Sequence, residues 1–319
     1  MATDPLDSAA IDSAVEHAYS LHRHNSKGRS ATYIPALADV DPGLFALCAM
    51  TPRGHVSSAG DVEHEFPIES ISKVFTLALV IEQHGHRSVH NRLGANPTGA
   101  AFDSVLALEL HHDKPTSPLV NAGAMATTSF VRAADSNDRW RKILEIQSAF
   151  AGRPLSISEE INASEQATNS HNKAIAWLMY SAGTLFCDPM EACAVYTQQC
   201  STMLNTADLA TMGATLAAGG ANPRTGERVM AASNVRYVLA AMVMEGMYTE
   251  SGDWAYTVGV PAKSGVGGGV LAVIPGRLAV AAFSPKLNSA GNSVRGWSAV
   301  ADVVNRLKLG LFDTPETAM

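Results

Sequence analysis

An α+β fold is the class this 319-residue sequence predicts, on three observations. Strand-like runs lie near both ends of the chain. The middle is dominated by helical segments. One helix between them carries apolar residues on every side rather than along one stripe, the pattern of a buried central element.

Ile11, Val15, Ala18 and Leu21 recur at helical spacing within Ile11 to His24. Leu44 to Met50 (LFALCAM) and His55 to Ala59 flank Thr51-Pro52-Arg53-Gly54, the signature of a hairpin. After Pro67, the only charge between Glu69 and Glu82 is Lys73, and Gly85 provides a stop. From about Ser104 to Asn222 the pattern is mainly helical, with Asn205-Thr206 as one helix start and Gly219-Gly220 as its end. Gly269 to Ile274 and Leu278 to Phe283, joined by Pro275-Gly276, read as a second hairpin, apolar on both faces. Asn292 to Leu309 returns to helix. Strands from the two ends are expected to form one antiparallel sheet, and the middle a helical lobe. No linker rich in Pro, Gly or Ser interrupts the chain. One unit of two lobes is expected, a sheet lobe of about 1–65 and 225–319 and a helical lobe of about 66–224.

The bulk properties exclude several functions. Hydrophobic residues make up 46%, charged residues 17%, and the net charge is −7. Arg139, Arg141 and Lys142 surround Trp140, but Asp135, Asp138 and Glu145 offset them, so no nucleic-acid partner is expected. Apolar stretches fall short of the ~18 residues that span a bilayer. The opening Met1-Ala2-Thr3-Asp4-Pro5 is neither basic nor apolar, and Cys48, Cys187, Cys193 and Cys200 lack CxxC spacing. Reduced thiols in a cytoplasmic protein are the expectation. His22 and His24, His84 and His86, and His111 and His112 lack the acidic companions of a metal site and read as surface or turn residues.

Two motifs carry chemistry. Ser70-Ile71-Ser72-Lys73 opens the apolar helix, where residues three apart share a face. Burial disfavours the charged ammonium, and a neutral amine beside a hydroxyl activates a serine nucleophile. A helix N-terminus adds donors for an oxyanion. Lys263-Ser264-Gly265-Val266-Gly267-Gly268-Gly269 leads into a strand, where glycines let backbone approach a ligand and offer an N–H to an oxyanion. A phosphate loop is not expected, because no Gly-Lys-Ser/Thr opens a helix here. S-x-x-K early and K-[ST]-G late is the pairing of β-lactamases and penicillin-binding proteins, so the fold resembles the β-lactamase/DD-peptidase type.

Between these motifs lie Tyr33 to Ala38 (YIPALA), Glu69 to Phe75 (ESISKVF), Pro118 to Ala124 (PLVNAGA), Ser164-Glu165 and Asn172-Lys173-Ala174. Tyr196 to Ser201 (YTQQCS), Asp208-Leu209-Ala210, Leu216 to Pro223, Glu245 to Tyr248 (EGMY), Pro261 to Gly269 (PAKSGVGGG) and Gly291-Asn292-Ser293 follow. In this order they make the chain resemble the serine-dependent glutaminase family from Tyr33 to Trp297. The resemblance implies hydrolysis of L-glutamine to L-glutamate and ammonia, with Ser70 as nucleophile and Lys73 as its activating partner. It implies substrate contacts at Asn121, Glu165, Asn172, Tyr196 and Tyr248, a backbone contact at Val266, and Tyr33 near the site mouth. It also implies a homo-oligomer, a dimer or tetramer. No metal or organic cofactor is expected, since a Ser–Lys pair with oxyanion donors suffices for amide hydrolysis.

The substrate's chemistry suits these residues. Glu165 can pair with its ammonium, while Asn121, Asn172 and a tyrosine hydroxyl can donate to its carboxylate. Tyr196 or Tyr248 would relay the proton to departing ammonia. Each has a plainer reading: Ser70 or Asn121 as a helix cap, Glu165 as a first-turn acid, Asn172 as a solvated helix residue, the tyrosines as packing. The sequence departs from the family pattern at His171, at Asn96-Pro97-Thr98-Gly99 and at Phe102-Asp103-Ser104. Two rival functions remain, a penicillin-reactive acyl transferase and a glutamine- or glutamate-binding protein without turnover.

Overall fold

Five antiparallel strands form the main sheet, in the order β2-β1-β8-β7-β6: β1 is Ala46–Met50, β2 Val56–Gly60, β6 Ala262–Ser264, β7 Gly269–Ile274 and β8 Leu278–Phe283. The computed structural model describes residues 6–313, so the expectation placed on Met1 to Pro5 lies outside the described residues. Strands from the two ends meet where β1 pairs with β8, Ala46 opposite Phe283 and Met50 opposite Ala279.

The sheet is buried on both faces, which is why β1, β7 and β8 read as continuous apolar runs rather than alternating ones. Cys48, Met50, Leu271, Val273, Ala279, Ala281 and Phe283 point into the larger core, shared with the helices. Their neighbours Leu47, Ala49, Val270, Ala272, Val280 and Ala282 point the other way. There the Ser8–His22 and Val294–Arg306 helices cover them. On the larger-core face the Thr206–Ala217 helix crosses the sheet at Gly213, where a Cβ would come within 2.6 Å of the Leu271 side chain. That helix begins with a reciprocal capping box between Asn205 and Asp208, an arrangement that stabilises a helix start by about 1 kcal/mol. The architecture is α+β, of the β-lactamase/DD-peptidase-like class.

Three details differ from the sequence expectation. A second, small sheet of β3 (Phe66–Pro67), β4 (Ser156–Ile157) and β5 (Thr202–Leu204) has order β3-β5-β4. Strands of two or three residues leave no periodicity to read. Ser70 sits in a 3-10 turn, Glu69–Ile71, and the central helix begins only at Ser72 and runs to His84. The Ala232–Glu245 helix packs against the central helix and adds Val235, Val238 and Met242 to the larger core, so the helical layer extends past residue 224.

Among the described residues no helix is long and apolar enough to cross a membrane. The basic residues around Trp140 are paired: Arg141 with Asp138 and Glu145, Lys142 with Asp138, and Arg139 with Glu191. His84 and His86 are half-buried rather than purely superficial, stacking on Phe130 and Tyr237.

Candidate active site

The 3-10 turn that carries Ser70 is clamped between the central helix, β6 and β7, and the Pro189–Cys200 helix. Its first residue, Glu69, has φ +51°, a left-handed conformation that is uncommon away from glycine and that packing must hold in place. Gly265 and Gly267, in the turn joining β6 to β7, make the fit possible. A Cβ at Gly267 would lie 2.9 Å from the Pro67 carbonyl and 3.1 Å from Glu69 Cγ, and one at Gly265 would lie 3.0 Å from the Ile68 carbonyl. The glycine-rich stretch therefore lets two backbone segments approach side by side. Lys263 and Ser264 belong to a strand of their own rather than to a loop entering one.

Lys73 is 1% exposed. Its amine donates to Asn121 Oδ1 at 2.7 Å and to the Leu119 carbonyl at 3.3 Å. Burial lowers its pKa to about 8, with Cys200 and Glu245 pulling the other way. Among the described residues the Ser70 hydroxyl does not hydrogen-bond this amine. It sits instead beside the side chain of Tyr248, whose ionisation it favours. Sharing a helix face brings two groups near each other, and local partners then decide the bond.

Tyr248 is buried, with φ +56° and its hydroxyl donating to the Ser264 carbonyl at 3.0 Å. Burial raises its pKa, while the neighbouring Ser70 side chain acts in the opposite sense. Lys263 Nζ lies 4.1 Å from the centroid of the Tyr248 ring and donates to the same Ser264 carbonyl. Fully buried, Lys263 has a pKa pushed well down by desolvation and then by Lys73. Sequence reasoning picked out Lys263 only as a motif letter. Its contact with Tyr248 has no sequence signal.

Asn121 joins the remaining groups. Its Oδ1 accepts from Lys73 and from the Tyr196 hydroxyl at 3.1 Å, and its Nδ2 donates to Asn172 Oδ1 at 3.0 Å. It does not cap its helix, whose N-cap is Val120 without a side-chain bond. Glu165 lies in the second turn of the Glu159–Thr168 helix, not the first. Neither Ser70 nor Asn121 is a helix cap, and Glu165 is not a first-turn acid. Val266, 7% exposed, and Tyr33, 56% exposed, line an open cavity of about 560 Å³ together with Phe102, Asn288 and Gly291. No backbone carbonyl among the described residues accepts from the Val266 N–H.

The sequence departures fall close together. His171 Nε2 donates to the Asp103 carbonyl at 2.7 Å. Thr98 donates through N and Oγ1 to the buried Glu245 carboxylate.

Three buried side-chain oxygens here have no ordinary partner: Ser264 Oγ, Glu69 Oε1 and Glu165 Oε1. Glu69, Glu165 and Cys200 each place a ligand atom within 4.8 Å of the others. Burial, with Glu165 and Glu69 adding to it, raises the Cys200 pKa well above its ordinary value. That favours the thiol over the thiolate a metal needs, so the trio carries no metal assignment.

A model of the glutaminase family matches residues 28–312. The chain is 61% identical over 315 residues to a Mycobacterium ulcerans protein named glutaminase, covering 99% of this chain and 98% of that one. It is 57% identical over 307 residues to glutaminase 1 of Escherichia coli, covering 96% and 99%. A solved structure titled as a probable glutaminase superimposes with a TM-score of 0.96 at 56% identity, covering 97% of this chain and all of that one. Another, titled as Mglu in its glutamate form, gives 0.89 at 37% identity, covering 97% and 70%. With a family match over most of its length and relatives well above half identical, the chain belongs to the glutaminase family.

Proposed function

We propose that the protein hydrolyses L-glutamine to L-glutamate and ammonia through an acyl-enzyme on Ser70. The Ser70 oxygen attacks the side-chain amide carbon, and its proton passes to the neutral Lys73 amine. The carbon–nitrogen bond breaks, ammonia leaves with a proton, and water hydrolyses the ester to release glutamate and restore Ser70. The observation that carries this reading is the buried Lys73 amine with a pKa of about 8, near enough to neutrality to give and take a proton.

The other groups take the roles the substrate requires. The N–H groups of Ser70 and Val266 hold the oxyanion, each such donor contributing about 3–4 kcal/mol. Glu165 receives the ammonium, and Asn121, Asn172 and Tyr196 order the carboxylate end. Tyr248 relays the proton to ammonia, a choice over Tyr196 supported by its place beside Ser70. Tyr33 closes the mouth.

Free, mostly buried cysteines support a reducing, cytoplasmic setting. Trp177 and Tyr180, exposed on one helix and packed edge to face, support self-association as a dimer or tetramer, which sedimentation checks. The test of the reaction is ammonia and glutamate release from L-glutamine. Wild type turns over, and Ser70→Ala loses about 10⁶-fold in kcat while keeping its fold. A well-folded wild type inert at millimolar glutamine overturns the reading.

A further inference from the structure

Glu69 is 3% exposed and immediately precedes the nucleophile, yet no motif role falls to it. A carboxyl oxygen of Glu69 lies within 4.8 Å of one of Glu165. One oxygen of each is buried without a hydrogen-bond partner. Two carboxylates this close and this poorly solvated cannot both ionise, so one of them keeps a proton. Lys73 makes no ion pair with Glu69 among the described residues, and its amine donates to Leu119 and Asn121.

Titratable groups face Glu69 from several of the elements packed around it. The central helix brings Lys73, the Pro189–Cys200 helix brings Tyr196 and Cys200, and β6 brings Lys263. Tyr248, Tyr33 and Glu165 complete the set, and β7 carries no titratable side chain. Glu165 is the more open of the two acids and Glu69 the more enclosed, seated against Gly265 and Gly267. An anion at Glu69 would also sit one residue from the oxygen on which negative charge develops during attack.

We propose that Glu69 is a positioning residue that works as a neutral acid: it keeps the proton of the pair and donates it to Glu165. Glu165 is then the single negative charge offered to a substrate ammonium. This rests on the glutaminase reading for the identity of that ammonium, but the location of the proton does not. The direction of both pKa shifts agrees. Burial, then Glu165, raise that of Glu69 well above the carboxylate range, and burial raises Glu165 to about 7. The consequence is a pH dependence of definite sign. As pH rises through the folded pKa of Glu69, the acid ionises, the pair becomes a dianion beside Ser70, and kcat falls.

The test uses Glu69→Gln, which replaces the acid with an amide that still donates to Glu165 but cannot ionise. Turnover within about threefold of wild type at neutral pH is expected, with the alkaline fall in kcat abolished and KM little changed. Infrared difference spectroscopy of the substrate-free proteins reads the proton independently. A protonated carboxyl C=O band is expected in wild type and not in Glu69→Gln, disappearing with pH in step with kcat. Glu69→Gln inactive at every pH, or active with an unchanged alkaline limb, overturns the proposal. So does wild type without the band, or a tenfold rise in KM for Glu69→Gln with proton release on substrate binding, which would mean that the ammonium replaces the proton. Should glutamine not be turned over at all, the infrared band still decides where the proton is.

Discussion

Lys73 and Lys263 belong to two walls packed against the turn that carries Ser70, one on the central helix and one on the edge strand β6, and neither is exposed to water. Their surroundings differ. Burial lowers the Lys73 pKa to about 8, with Cys200 and Glu245 favouring its charge, and its amine donates to the Asn121 side chain and the Leu119 carbonyl. Lys263 has the Ser264 carbonyl and the face of Tyr248, with Lys73 repelling any charge it takes, and its pKa falls further. Desolvation disfavours the charge on both lysines, and the charges around each decide whether it can still exchange a proton near neutral pH. Lys73 is thus suited to be a base and Lys263 to be a fixed donor that holds Tyr248.

Replacing each with methionine separates these roles, because methionine keeps volume and removes only the amine. For Lys73→Met we expect kcat/KM to fall about 10³–10⁴-fold, the range of a lost general base. In wild type, kcat/KM should rise with pH through about 8, as Lys73 loses its proton. Stability should move the opposite way from activity. Below about 8 the folded chain bears the full penalty of a charged, buried lysine, and the penalty disappears as pH approaches 10.5, where the unfolded chain is neutral too. Lys73→Met should therefore be about 3 kcal/mol more stable than wild type at pH 7, and the advantage should vanish at high pH in denaturant titrations. Lys263→Met is expected to lose about 100-fold in kcat, with KM nearly constant and no change in the acid limb of the pH profile. Equal losses in the two variants would break the comparison.

The two walls also differ in how far the sequence revealed them. The strands β7 and β8 were legible to the residue, because continuous apolar runs bounded by a Pro-Gly turn admit few other readings. Ser70 and Lys73 were legible through their spacing and the charge-free helix that follows. The neighbour that Ser70 meets was not. It is Tyr248, 178 positions away in sequence, held by a left-handed backbone that no local pattern announces. Glu69 was passed over for the same reason. A glutamate before a serine is ordinary until Glu165 arrives from another helix. The glycines of the β6–β7 turn were seen as a place for a ligand. Gly267 has an ordinary φ, and what it admits is the Pro67 carbonyl and Glu69 Cγ.

That close approach gives a smaller test on the β6 side. Alanine at 267 can adopt the backbone but must displace the turn carrying Glu69 and Ser70 by some tenths of an ångström. Gly267→Ala should lower kcat about tenfold and destabilise by about 1–3 kcal/mol, the range for overpacking a filled site. An unchanged kcat would mean that the two walls are not rigidly coupled, and the contrast between the lysines would then need another cause.

Tyr33 should matter least. It makes no hydrogen bond among the described residues, is 56% exposed, and stands at the cavity mouth rather than on either wall. A phenolic hydroxyl stays protonated at ordinary pH, so it can still donate to a bound ligand. A single neutral hydrogen bond at a solvated rim contributes about 0.5–1.5 kcal/mol. Tyr33→Phe should therefore raise KM about threefold and leave kcat and the pH profile alone. A large fall in kcat instead would move Tyr33 from the mouth into the reacting centre. It would also show that the mouth closes onto the two lysines during turnover, so that the distinction drawn between the two walls holds only for the empty enzyme.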